Sequence, residues 1–81
     1  MKRLPRMRPI PPRALIKILE KAGFRVIRQR GSHVILMNEE RVRIVVPVHR
    51  GKDVKVGLLR AILREAGLSR EEFFRLLEED P

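Results

Sequence analysis

The sequence contains no cysteine, tryptophan or tyrosine, and only three phenylalanines. Without thiols, the chain cannot use a disulfide or a thiolate metal site to stabilise its fold. No apolar run approaches the ~20 residues needed to cross a bilayer. The first residues also lack the apolar middle of a secretory signal, since Arg and Pro separate their hydrophobic residues. We therefore expect a cytoplasmic protein, without membrane contact, whose core is built from Leu, Ile and Val.

Positive charge is abundant but unevenly distributed along the 81 residues, a length that predicts one domain. Residues 1–30 carry ten basic side chains and one acid, residues 31–60 six and three, and residues 61–81 three and six, for a net charge of +9. Such an excess favours a polyanionic partner, because phosphates release counterions when Lys and Arg neutralise them. Charge alone does not distinguish RNA from DNA or an acidic protein. An Arg-rich surface of a heat-stable protein is the alternative.

The pattern of apolar and turn residues predicts a small α+β domain. Residues 1–11 are basic and proline-rich, which predicts an extended segment before a single domain over 12–79. Short connections predict a three-stranded antiparallel sheet with the helices on one face. Val34 and Leu36 alternate with the equally apolar Ile35 and Met37. The sequence therefore does not show which of the two sets of side chains faces the helices. The expected elements are a helix at about 12–22, strands at 24–30, 33–38 and 41–48, and helices at about 56–66 and 70–79.

Two positions give sharper expectations about these elements. Ser69 and Glu72 form a capping box at the start of the last helix, and Phe73, Leu76 and Leu77 should pack inward from it. Pro47 cannot donate to a strand ladder, so it belongs near a strand end or on an edge.

The two histidines are the residues best suited to proton transfer. RNA cleavage needs no outside nucleophile, since the ribose 2′-hydroxyl can attack the adjacent phosphate. His33 follows Gly31 and Ser32, where glycine would let a phosphate approach the backbone and serine would donate to a phosphate oxygen. A Gly-Ser-His tripeptide alone is more often a solvated turn, and His49 in its basic loop has the same alternative.

Other chemistries have little support. Metal-dependent nucleases need clustered carboxylates. Apart from Glu20 and the acids of the C-terminal helices, the sequence has only Glu39, Glu40 and Asp53. Two histidines sixteen positions apart, without cysteine, form a weak zinc motif. We therefore expect neither a metal nor another cofactor.

Four segments in this order resemble the HicA (YcfA-like) mRNA interferase family, the toxin half of type II toxin–antitoxin pairs. The resemblance runs from about Leu15 to Phe73. Its segments are LIKILEKAGF at 15–24, RQRGSH at 28–33, VPVHRGKDV at 46–54 and GLLRAILREAGLSREEF at 57–73.

This resemblance implies a fold like that of a double-stranded-RNA-binding domain and translation-independent cleavage of mRNA. It also implies that His33 is essential and that a HicB-type antitoxin covers the active surface. Leu58 departs from the family pattern, because many members carry threonine there. The departure weakens any expectation of phosphate binding at the start of the second long helix.

The resulting hypothesis is a metal-independent endoribonuclease with His33 as general acid–base and with Gly31 and Ser32 positioning the phosphate. One alternative is a non-catalytic module that binds double-stranded RNA by shape. Another is an interaction protein, such as a DNA-binding subunit, although no helix-turn-helix pattern stands out. The expected electrostatic helpers of His33 are Arg28, Arg30, His49, Lys52 and Lys55.

Overall fold

The computed structural model describes residues 4–79 and has the predicted order of elements. This order confirms a small α+β domain, and the strands are one to three residues shorter than expected because their ends pass into turns. The bounds are α1 (Pro12–Lys21), β1 (Arg25–Arg30), β2 (His33–Met37), β3 (Arg43–Pro47), α2 (Val56–Ala66) and α3 (Arg70–Glu78).

The three strands form an antiparallel sheet in the order β1-β2-β3. Pro47 ends β3, an edge strand, as its missing amide predicts. The register places His33 between Arg30 of β1 and Pro47 of β3. Two residues further along β2, Ile35 lies between Arg28 and Val45. Because side chains alternate across a strand, these rows share one face of the sheet.

The other face of the sheet forms the core with the helices, which settles the question that the apolar β2 left open. Val34, Leu36, Ile44 and Val46 belong to one buried cluster with side chains from all three helices. The amphipathic spacing of α1 and α2 directs their apolar stripes onto this face. Those stripes are Leu15, Ile18 and Leu19 in α1 and Leu59, Ile62 and Leu63 in α2. Within residues 4–79, the helices are too short or too polar to cross a membrane.

Residues 4–11, which we name the N-terminal strap, are anchored to the domain. The first three residues of the predicted basic, proline-rich segment lie outside the described residues. Met7 and Ile10 are 4% and 6% exposed and belong to the core cluster. Ile10 exchanges two backbone hydrogen bonds with Val54, of 3.1 and 2.7 Å. The Arg70 guanidinium of α3 donates to the Pro5 carbonyl oxygen at 3.0 Å. The strap therefore connects the segment before α2 to α3.

The start of α3 has the predicted capping box, with the Ser69 hydroxyl accepting from the Glu72 amide and the Glu72 carboxylate accepting from the Ser69 amide. The expectation that Leu77 packs inward is wrong, because Leu77 is 45% exposed whereas Phe74 is 7% exposed. Phe74 is buried in the same cluster as Met7 of the strap. The strap gives α3 a second packing surface, which helical periodicity cannot reveal.

Candidate functional site

The Gly31-Ser32 turn between β1 and β2 places His33 at the first position of β2. Gly31 has a φ of +55°, whereas Ser32 does not have a positive φ. This combination is typical of a type II′ hairpin turn, which takes glycine at its first central position. A Cβ built on Gly31 would meet no atom within 4 Å. Backbone conformation, and not space, therefore requires glycine here.

His33 is exposed on the face of the sheet that turns away from the helices, which we name the open face. Arg30 lies directly opposite it on β1, and directly opposed residues of antiparallel strands have Cβ atoms about 4.5–5.5 Å apart. The Arg30 side chain therefore leaves the sheet next to that of His33. A nucleic-acid strand can reach His33, because the ring is not enclosed by aliphatic side chains.

The open face combines arginines with an apolar centre. Ile35 is only 4% exposed, yet it does not belong to the core cluster, so neighbouring side chains of the open face cover it. Val45, its partner on β3, is 42% exposed. The register assigns the arginines of this face to Arg25, Arg28, Arg30 and Arg43.

The 48–55 loop, the segment between β3 and α2, starts beside the hairpin turn. The Val48 amide donates to the Ser32 carbonyl oxygen at 2.6 Å, and the Lys52 amide donates to the His49 carbonyl oxygen at 3.1 Å. His49, Lys52 and Lys55 then line one cavity of about 340 Å³ together with Pro47. Since Pro47 is paired with His33, this cavity lies at the end of the sheet that carries the histidine.

The candidate residues fall into two neighbouring groups. The hydrogen bond from the Val48 amide to the Ser32 carbonyl oxygen connects them. Arg28, Arg30 and His33 share the open face, whereas His49, Lys52 and Lys55 surround the cavity beyond β3. Leu58 also lines this cavity and is 42% exposed, so the position that departs from the family pattern lies at the site.

Two open-face arginines, Arg25 and Arg43, were missed by the sequence analysis. Arg43 alternates with Val45 and Pro47, and this spacing of two was the available signal. It could be interpreted only once the outward set of residues was known.

The arrangement suits a phosphodiester, because an accessible imidazole can transfer a proton while guanidinium and ammonium groups hold the anionic phosphate. Among residues 4–79, no group of three or more His, Cys, Asp or Glu side chains is placed to hold a metal ion.

A family model described as the HicA toxin of bacterial toxin–antitoxin systems matches residues 12–68, more than half of the chain. The matched residues include α1, the sheet, α2 and every candidate site residue, and they leave out the strap and α3. No curated protein matches the chain.

Proposed function

Because this chain belongs to the HicA toxin family of bacterial toxin–antitoxin systems, we propose that it is a metal-independent endoribonuclease that cleaves mRNA. The observation that carries the proposal is the exposure of His33 on the open face, directly opposite Arg30. In this proposal His33 is the general acid–base, and the substrate is RNA because the attacking nucleophile is the ribose 2′-hydroxyl.

The reaction requires one proton to be moved between two oxygens. The 2′-oxygen forms a bond to the adjacent phosphorus while its proton passes to the His33 imidazole. The bond between phosphorus and the 5′-oxygen then breaks, and the imidazolium returns the proton to that oxygen. The products are a 2′,3′-cyclic phosphate and a 5′-hydroxyl end, and neither step needs an outside reactant.

Positive groups around His33 stabilise the charge that accumulates on the phosphate oxygens. Arg30 is directly opposite the imidazole and Arg28 lies one row away on the same face. Ser32 and the backbone at Gly31 position the phosphate at the turn. Lys52 and Lys55, together with His49, hold the RNA where it passes over the end of β3.

The partner proposed for this toxin is a HicB-type antitoxin that covers the open face. The exposed Val45 lies on the same face as the open-face arginines, so this surface offers apolar area together with positive charge. An antitoxin with acidic side chains around an apolar patch fits such a surface. Its binding would shield His33 from RNA.

The test compares His33→Ala with His49→Ala, which removes the other imidazole. Loss of a general acid–base lowers cleavage by about 10²–10⁴-fold, so His33→Ala should lose cleavage and growth arrest. Because His33 is exposed, its replacement should change the free energy of unfolding by less than about 0.5 kcal/mol. His49→Ala should raise KM and keep kcat, because in this proposal His49 holds the RNA and does not transfer the proton. Cleavage of a defined RNA and urea denaturation measure the two effects.

A substrate with a 2′-deoxy sugar at the cut site checks the chemistry independently, and it should resist cleavage. A folded His33→Ala protein that still cuts RNA would refute the assignment of this residue. Wild-type protein that binds duplex RNA and leaves it intact would instead support the non-catalytic RNA-binding module.

A further inference from the structure

The 48–55 loop has a second cationic side, which faces the start of α1. A cleft of about 330 Å³ lies between them, and its charged side chains are Arg13, Arg50, Lys52 and Asp53, with His49 beside them. Three cations therefore oppose one carboxylate. All five side chains are exposed and available to a ligand in solution.

This cleft continues the site that contains His33. His49, Lys52 and Asp53 line both this cleft and the cavity next to Pro47, so the two lie on either side of the same loop. The loop is in turn bonded to the hairpin turn through the Val48 amide and the Ser32 carbonyl oxygen. A basic path thus runs from the open face over the loop to Arg13.

The walls of the cleft are held in place before any ligand binds. Pro11 and Pro12 form part of its lining, and proline fixes its own backbone φ. Directly before them, Ile10 exchanges its two backbone hydrogen bonds with Val54 at the end of the loop. Because both walls are tied together there, the backbone of the cleft needs little ordering when an anion binds.

No phenylalanine ring is exposed to nucleic-acid bases, and the one aromatic ring that lines the cleft is the His49 imidazole. The whole chain has three phenylalanines and neither tryptophan nor tyrosine. Those phenylalanines, Phe24, Phe73 and Phe74, are between 1% and 7% exposed. Modules that read single-stranded RNA stack its bases on aromatic rings. The cleft therefore suits the phosphates of the strand better than its bases.

We propose that the cleft between Arg13 and Arg50 is a second phosphate subsite, which holds the RNA backbone beside the cleaved linkage and does not discriminate between bases. This inference rests on the proposed ribonuclease function and adds Arg13 and Arg50 to the RNA-binding residues. They bind a neighbouring phosphate and take no part in the proton transfer.

The test removes two charges from the cleft and compares the effect with the same change elsewhere. Arg13→Gln/Arg50→Gln is the cleft variant. Arg60→Gln/Arg64→Gln is the matched control, because these exposed arginines line a separate cavity between α2 and the start of α3. Both variants lose the same net charge. The ligand is a short 2′-O-methyl RNA, which lacks the attacking hydroxyl and stays uncut, and fluorescence anisotropy measures its affinity.

The expected result is a change in salt dependence. Each phosphate contact with a single strand contributes about 0.7 to the slope of log affinity against log salt. The cleft variant, which no longer neutralises that one phosphate, should lose about 0.7 of slope, so that raising salt from about 0.05 to 0.2 M costs it about 2.6-fold less affinity than it costs the wild type. The control variant should keep the wild-type slope. On cleavable RNA, the cleft variant should have a raised KM and an unchanged kcat.

Base discrimination is tested with the same RNA carrying abasic residues at alternate positions. A base stacked on the protein contributes about five- to 150-fold in affinity. If the protein contacts no bases, their removal should change the affinity by less than about twofold. A tenfold loss would overturn this part of the inference.

The possible failures can be told apart. If the wild type neither binds nor cuts RNA, the proposed function itself is wrong. If the wild type cuts RNA and the cleft variant matches the control variant in slope, only the phosphate subsite is wrong.

Discussion

Consecutive residues of β2 point to opposite faces of the sheet, and the two faces differ in composition. Val34 and Leu36 are buried against the helices, whereas His33 is exposed on the open face among arginines. Burying a Leu or Val side chain contributes about 1.5–3 kcal/mol, so the core face supplies stability. Apart from the buried Ile35, the open face is free to carry charge and an imidazole, because its exposed side chains contribute little to stability.

The starts of the three helices show the same division between parts that stabilise the fold and parts that adjoin the candidate site. α3 begins with a capping box and has Glu71 and Glu72 in its first turn. Within residues 4–79, α1 and α2 begin without a side-chain cap and without an acid in the first turn, and both starts adjoin the 48–55 loop. Acids would stabilise those two helix starts but would repel RNA. Local stabilisation is therefore strongest at the helix start outside the matched family residues.

The largest expected effect on stability is the difference between substitutions on the two faces of the sheet. Leu36→Ala removes a fully buried side chain and should cost about 2–5 kcal/mol of unfolding free energy. Val45→Ala, on the exposed face of the neighbouring strand, should cost less than about 1 kcal/mol. Urea denaturation measures both. Equal losses would show that the open face also carries the fold.

A smaller effect is expected at the turn before His33. Gly31→Ala places a side chain at a φ of +55°, which costs about 1–2 kcal/mol for an L-residue. Gly31→Asn should cost less, because asparagine tolerates this conformation better. Thermal denaturation measures the two variants. If Asn proves as costly as Ala although no atom lies near the added Cβ, the turn conformation is not the reason for glycine.

The smallest effect concerns the capped start of α3. Ser69→Ala should cost about 1 kcal/mol and leave RNA cleavage unchanged, since α3 lies outside the candidate site. Loss of cleavage in the folded variant would contradict the division between the two regions.

The Ser69→Ala variant should also change the dependence of stability on pH. The backbone hydrogen bond from Ser69, followed by its side-chain hydrogen bond, lowers the pKa of Glu72 below its ordinary value of 4.5. A lowered carboxyl pKa stabilises the fold at pH above the ordinary value, and this stabilisation is lost as pH falls through the lowered pKa. Ser69→Ala removes the side-chain hydrogen bond and keeps the backbone one. The gap in unfolding free energy between wild type and Ser69→Ala should therefore narrow in acid by the side-chain part alone, which denaturation from pH 7 to about pH 3 measures. A gap that widens in acid would contradict the hydrogen bond between the Ser69 hydroxyl and Glu72.

Much of the fold could be predicted because its signals are local. Pro12, Gly67 and the pair Ser69 and Glu72 mark helix ends by backbone chemistry that operates within a few residues. The turn before His33 was predictable for the same reason. Leu77 was misplaced because the strap that buries Phe74 is more than sixty residues away in sequence.

The candidate site was predictable one segment at a time but not as a surface. His33 and Arg30 are close in sequence, and their pairing follows from a two-residue turn. Arg13 and Arg50 gave no sequence signal, because they meet only when α1 and the 48–55 loop come together.

The amino-acid sequence alone determined the order of the elements, their caps and turns, the net charge and the histidine beside a glycine turn. Each of these depends on the backbone chemistry or the charge of a few neighbouring residues. Tertiary structure decided which side of an evenly apolar β2 turned outward, where the strap docked, and which cations face the same cleft. Those outcomes depend on burial and on contacts between segments far apart in the chain, for which local periodicity carries no information.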